Sequence, residues 1–203
     1  MTEHLIITIG REFGSGGRQI GKRLADMLHI PFYDRELIEE ASRRSGLSTD
    51  CLERADEKAP GLLDYALLGN FGNESVLSNG NFYILQSNVI MSLAKEQSCV
   101  IVGRSADYIL RKHKNLVNFF IQAPLEERIH TVSQRMHISR PDAEDMIGKH
   151  DKCRARFYNF YTDKEWGKAA SYHLTIDSSI LGMEETALFL KDFIDRRPER
   201  TDR

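Results

Sequence analysis

The chain has 203 residues, 28 Lys and Arg against 30 Asp and Glu, a net charge of −2 and 41% hydrophobic residues. That suits one domain with a sizeable core, and the near-neutral balance argues against a broad nucleic-acid-binding face, so no nucleic acid polymer is expected as a partner. No apolar run approaches a membrane span, the start MTEHLIITIG lacks a signal-peptide pattern, and Cys51, Cys99 and Cys153 are scattered without CxxC spacing; the expectation is a cytoplasmic protein with reduced thiols and no membrane partner.

In chain order, residues 4–9 contain the apolar run Leu5 to Ile9, expected as a strand. Gly10-Arg11-Glu12-Phe13-Gly14-Ser15-Gly16-Gly17-Arg18 follows, and Ile20, Leu24, Met27 and Leu28 then recur at helical spacing. Strand, glycine-rich turn and helix form the context of a phosphate-binding loop. Unpaired N–H groups and the dipole at a helix start favour an anion, and glycines let the backbone approach it. The bland alternative is a tight connection. Arg11 and Arg18 bracket the glycines, and cations beside a helix N-terminus gain little unless an anion is present. Candidate phosphate ligands are Arg11, Gly14, Ser15, Gly16, Gly17, Arg18 and Gln19. Glu12 opposes an anion, and its neutralisation by Arg11 or by a metal ion is left open.

The loop departs from the Walker A pattern of Gly, four residues and Gly-Lys-Ser/Thr. With Gly16 as the final glycine, Arg11 stands at the first, Gly17 at the lysine and Arg18 at the hydroxyl position. Arg18 is rotated about 100° around the helix from the lysine site. Its long side chain can nevertheless curl back toward the β- and γ-phosphates, which makes it the expected substitute.

Pro31 to Asp34 forms a short extended segment, with Phe32-Tyr33 expected at a sheet edge. Asp34 either faces the cleft or caps a helix over residues 36–45. Another helix is expected over 48–58, an ordered insertion over 60–81 and a helix over 82–97. Residues 98–102 read as a strand ending at Gly103-Arg104, where the arginine either grips a phosphate or pairs with a surface acid. Residues 116–122 form a further strand, and Pro124 opens a helix through Arg135 with Arg128 and Arg135 on one face, either toward a cleft or toward solvent. Ser139 and Asp142 have capping-box spacing at the start of a long polar helix toward Trp166, which bears Asp151 and Arg154. These two either pair with each other or belong to a lid whose arginines cover a transferring phosphoryl group. Phe157, Tyr158, Phe160 and Tyr161 are expected to pack that lid, and the histidines show no metal-ligand spacing. Residues 172–177 form the last strand, and 184–195 the closing helix. The alternation predicts an α/β fold, a parallel sheet with the four longer strands central and helices on both faces, binding ligands at the strands' carboxyl ends.

The run Ile7 to Gly21, with Pro31-Phe32-Tyr33-Asp34, Gly103-Arg104, Ala123 to Arg128, Asp151, Arg154 and Asp177-Ser178, resembles the cytidylate kinase-like proteins of bacteria, relatives of the nucleoside monophosphate kinases. The resemblance spans nearly the whole chain. It implies a P-loop NTPase-like three-layer α/β/α sandwich with a parallel sheet of about five strands and a helical lid, to which this chain adds the insertion at 60–81. One nucleotide-kinase-like domain would cover 1–203, with a monophosphate-binding region at 34–97 and a lid at 136–166. ATP and Mg2+ are the implied cofactors. The resemblance implies Asp151 and Arg154 at the phosphates and Arg104 on the acceptor. Together with the reading of the residues, the expected catalytic residues are Arg18, Arg128, Asp151 and Arg154, with Asp34 and Arg104 on the acceptor. The expected partner is a small-molecule nucleotide, and a homodimer is left open.

Four features depart from that family's pattern: the absent loop lysine, Gln122 where cytidylate kinases carry an aspartate, Arg35 where a small residue is expected, and the unmatched 60–81 stretch. Two functions follow. One is a kinase transferring the γ-phosphoryl group of ATP to a nucleoside monophosphate such as CMP or dCMP, or a related small acceptor. The other is a nucleotide-binding regulatory protein without turnover.

Overall fold

The computed structural model describes residues 4–34 and 79–198. The helices expected over 36–45 and 48–58, and the insertion up to residue 78, lie outside the described residues.

Five parallel strands form one sheet in the order β2-β3-β1-β4-β5. They are β1 (Ile6–Arg11), β2 (Phe32–Tyr33), β3 (Cys99–Val102), β4 (Leu116–Gln122) and β5 (Leu174–Asp177). β1 is central, pairing Thr8 with Ile101 of β3 and with Asn118 of β4. β2 lies at one edge, as expected. Among the described residues β5 lies at the other edge, paired only with β4, which corrects its expected central place. Its residues are all half-buried, whereas those of β3 are fully buried. β1 also runs on to Arg11, so Gly10 and Arg11 belong to the strand and not to the turn.

The helices are α1 (Gly17–Leu28), α2 (Asn79–Glu96), the short α3 (Ala106–Ile109), α4 (Leu125–Met136), α5 (Arg140–Tyr161) and α6 (Ser178–Asp195). On one face of the sheet, Ile7, Ile9, Val100, Val102, Phe119 and Ile121 pack against Ile20 and Leu24 of α1 and Ala187, Leu190 and Ile194 of α6. On the other, Ile6, Cys99, Ile101 and Leu116 pack against Val89, Ile90 and Leu93 of α2 and Ala106 of α3. Covering both faces is what makes the strand sequences almost continuously apolar. α4 and α5 make a third cluster through Ile129, Val132, Ala143 and Ile147, and Phe13 from the glycine loop packs into it.

Several boundaries moved. α2 starts three residues before the expected Phe82. α3 has no expected counterpart, being a single turn with too little periodicity to read. Ser139 caps α5 by accepting from the Asp142 N–H, as its spacing predicts, but the helix stops at Tyr161 because Thr162 turns extended. α6 includes Ser178, with Gly182 breaking the helical backbone at φ 73°; the regular part follows it, as expected. His29 and His137, which had no expected role, both follow helices in left-handed conformation (φ 53° and 55°). The Ile30 N–H returns to Ala25 O and the Ile138 N–H to Ser133 O, so these histidines occupy a place usually filled by glycine.

Candidate functional site at the strand ends

The loop between β1 and α1 turns sharply because Gly16 takes φ 77°, a conformation that costs glycine nothing. The first bond of α1 runs from the Ile20 N–H to Gly16 O at 3.0 Å. The N–H groups ahead of Ile20 at this helix start have no acceptor within the helix, and the dipole is positive there. Gly14, Gly16, Gly17, Arg18 and Gln19 border a cleft of about 1100 Å³ here, together with Arg11, Asp34 and Arg104. Ser15 is placed differently from the rest. It is buried, and its single hydroxyl proton is directed inward, with Glu12 O at 2.9 Å and Ile121 O at 3.1 Å as acceptors in reach, which leaves no donor toward a phosphate. The loop is braced from beneath by the Ser178 hydroxyl, which donates to Ser15 O at 2.6 Å.

Two ion networks grip the loop. In the first, buried Asp34 receives Arg18 Nε at 2.6 Å and Arg11 at 3.6 Å. Asp34 therefore faces the cleft as a counter-ion. In the second, Arg128 reaches Asp151 Oδ2 at 2.6 Å and Glu12 Oε2 at 3.4 Å, and donates to Ala123 O at 3.0 Å. Asp151 Oδ1 accepts from the Phe13 N–H at 2.7 Å and lies 3.7 Å from Arg154, which also donates to Arg11 O. So the neutraliser of Glu12 is Arg128, not Arg11. Burial still raises the Glu12 carboxyl above its usual range, against the pull of the Ala123 N–H and Arg128. Arg128 and Arg135 do not look into one cleft: Arg135 lines it, while Arg128 is 9% exposed beneath the loop. Phe13 locks the same region, stacked on His150 at 4.2 Å between centroids with the guanidiniums of Arg135 and Arg154 nearby. Nothing in its local sequence marks Phe13, because its partners are remote in the chain.

Arg104 lines the cleft immediately after β3, within a left-handed run of Gly103, Arg104 and Ser105 at φ 74°, 62° and 50°. Two consecutive non-glycine residues in that region cost about 1–2 kcal/mol each, strain of the kind that gathers at functional sites. What approaches Gly103 closely is the Arg11 guanidinium, whose Nη1 would overlap a Cβ there. Burial, and then the charge of Arg11, pull Arg154 down to about 9; burial and then the charge of Arg18 are among the influences lowering Arg11. Crowded guanidiniums of this sort are relieved by an anion. Among the described residues that line the cleft are six cations (Arg11, Arg18, Arg104, Arg135, Lys149, Arg154) against three carboxylates (Glu12, Asp34, Asp107), so it is cationic on a chain of net charge −2. The buried hydroxyls of Thr8 and Ser105 border it too and have no hydrogen-bond partner among the described residues, as expected of groups that a polar ligand satisfies.

Asp107, Tyr158 and Tyr172 close the floor, and sequence reading assigned no role to the first and last. The Tyr158 hydroxyl donates to Asp107 Oδ2 at 2.7 Å, joining α5 to α3. Phe157 and Tyr161 instead surround Tyr83, and Phe160 is exposed. Burial raises the Asp107 carboxyl, with the Tyr158 bond opposing that shift. Replacing Tyr158 with Phe should cost about 1–3 kcal/mol by leaving a buried acceptor under-satisfied. The sign follows from a folded pKa raised above the unfolded one: the cost is absent below the unfolded carboxyl value and grows as pH rises through the folded one. Urea denaturation at pH 5 and pH 8 measures it, and an equal loss at both would remove the carboxyl from the explanation.

No group of three His, Cys, Asp or Glu converges as metal ligands among the described residues. Glu12, Asp34 and Asp151 are already engaged by arginines. A triphosphate fits the cationic glycine cradle, and magnesium fits as a companion of its phosphates, a mode in which it keeps several waters. No helix among the described residues is long and apolar enough to cross a membrane.

Solved structures share this architecture. A crystal structure of an uncharacterized protein from Eubacterium ventriosum ATCC 27560 is 28% identical, covers 96% of this chain and 100% of its own, and superposes with a TM-score of 0.73. Shikimate kinase from Bacteroides thetaiotaomicron (15% identity, 94% and 98% coverage, TM-score 0.55) and a gluconokinase from Sinorhizobium meliloti 1021 (10%, 95% and 92%, 0.53) share the fold. No curated protein sequence matches the chain. Residues 6–180 match the cytidylate kinase-like family; that span runs from the central strand through the glycine loop to the Asp177-Ser178 turn that braces it, and the chain belongs to this family.

Proposed function

We propose that this protein is an ATP- and Mg2+-dependent phosphotransferase acting on a nucleoside monophosphate such as CMP or dCMP, or a related small acceptor. The observation that carries this reading is that six cationic side chains line the cleft that the start of α1 borders. Phosphoryl transfer depends mostly on positioning and charge neutralisation, and that arrangement suits it. When bound, the nucleotide and its magnesium supply the transferable phosphoryl group and part of the neutralising charge. The chain contributes the turn from Gly14 to Gln19 as cradle and Arg154 as a neutralising group over it. Arg128 and Asp151 act at one remove, holding Glu12 and Phe13 so that the loop keeps its shape. Arg104 and Asp34 stand toward the acceptor.

The direct test is phosphoryl transfer from ATP and Mg2+ across a panel of nucleoside monophosphates. Turnover on none of them, with ATP still bound, would leave the regulatory reading, which the absent loop lysine favours. Replacing Arg104 with Ala should weaken monophosphate binding by about 2–5 kcal/mol and ATP binding much less. Calorimetry on both ligands checks this, and equal losses would return Arg104 to a surface-pairing role.

A further inference from the structure

The lysine of a standard phosphate loop would stand at position 17, the first residue of α1. No side chain fits there. A Cβ on Gly17 would lie 2.5 Å from Arg11 Cβ, 3.1 Å from Arg11 Cγ and 3.2 Å from Ile121 Cβ. The stem of Arg11 thus fills the space from which a side chain at position 17 would leave the backbone. Its far end fits equally closely, with the guanidinium lying against Gly103 and 3.6 Å from Asp34 Oδ1. One side chain accounts for both glycines.

Arg18, the substitute expected from the sequence, is placed otherwise. Its side chain is 52% exposed, its Nε is held by Asp34 at 2.6 Å, and its guanidinium carbon lies 5.7 Å from the centroid of the Phe32 ring on the edge strand. The Arg11 side chain is 19% exposed and ends at the carboxyl ends of the two innermost strands on that side.

We infer that Arg11, not Arg18, takes the place of the missing lysine as the cation gripping the phosphates of a bound nucleoside triphosphate, with Asp34 and the Gly103 backbone positioning its guanidinium. A guanidinium differs from an ammonium in forking onto two oxygens at once, and its planar donors suit a site where it is held flat against backbone. The inference rests on triphosphate binding in the proposed function, but not on turnover or on the acceptor's identity.

The test is calorimetry of the full chain with inorganic tripolyphosphate and with ATP and Mg2+, beside thermal denaturation. Replacing Arg11 with Gly should weaken tripolyphosphate roughly tenfold to a hundredfold, the range for hydrogen bonds to a charged group, and more than Arg18→Ala does. The change Gly17→Lys alone should lower Tm through the clash with Arg11. The double change Arg11→Gly with Gly17→Lys should regain affinity lost in Arg11→Gly, a rescue that a merely structural arginine would not allow. Arg11→Met keeps the stem and removes the charge; it should show the same loss at a Tm near that of the parent, and it decides the matter if Arg11→Gly does not fold.

A larger loss in Arg18→Ala than in either Arg11 variant would overturn the inference, as would a double variant binding no better than Arg11→Gly. Those results leave the proposed function standing. Absence of any triphosphate binding by the unaltered chain would overturn both.

Discussion

Replacing Arg128 with Met should cost about 3 kcal/mol of folding stability, the lower end for a broken buried pair, because it leaves half-buried Glu12 without its cation and Asp151 with the more distant Arg154, 3.7 Å away. Arg128 bridges Glu12 and Asp151 and also donates to Ala123 O and, at 3.4 Å, to Phe13 O. It therefore ties the glycine loop, β4's end and α5 together. The loss should depend on pH through Glu12, whose carboxyl is already raised by burial and lowered by Arg128. Removing Arg128 raises it further. A carboxyl with a raised folded pKa destabilises the fold above that pKa and is without cost below its unfolded value, about 4.3. The variant's deficit should accordingly shrink as pH falls from 7.5 toward 5. Urea denaturation across that range decides, and a deficit that stays constant or grows toward acid would refute the assignment. The exposed pair of Arg140 with Glu126 provides the control: Arg140→Ala should change stability by less than about 1 kcal/mol.

The second large effect is expected at Phe120, 1% exposed on β4. Its ring meets Trp166 edge-on at 5.3 Å and Tyr172 at 4.8 Å, and it excludes a side chain at Gly10, whose Cβ would come within 2.7 Å. Phe120→Ala should cost about 3–5 kcal/mol through lost burial and the cavity left behind. It also removes the support under the segment following α5. Trp166 is the single tryptophan, so its emission should shift to the red in the folded variant, while denaturation gives the stability loss. A loss under 1 kcal/mol with unchanged emission would mean that this segment does not rest on Phe120. Phe160, 52% exposed on α5, should tolerate Ala with little change.

The sequence by itself determined the fold. Leu5 to Ile9 and Leu116 to Ile121 are apolar because both faces of their strands are covered, and this pattern is read from neighbouring residues. The turn before α1, the Ser139 cap and the alternation of strands and helices were legible for the same reason: each is written within a few residues. The edge position of β5 was not legible, since its apolar content resembles that of an inner strand and strand order depends on which neighbours the whole sheet supplies.

The i, i+3 pair of Asp151 with Arg154 could be read locally, but partners remote in the chain could not. Asp151 reaches the Phe13 N–H across 138 positions of sequence, and Tyr158 reaches Asp107 across 51. An arginine looks alike in sequence whether it underlies a loop, as Arg128 does, lies along Gly103, as Arg11 does, or stands half in solvent, as Arg18 does. Only the tertiary structure decides among these, because a long charged side chain takes its role from what surrounds its tip, and those surroundings come from distant parts of the chain.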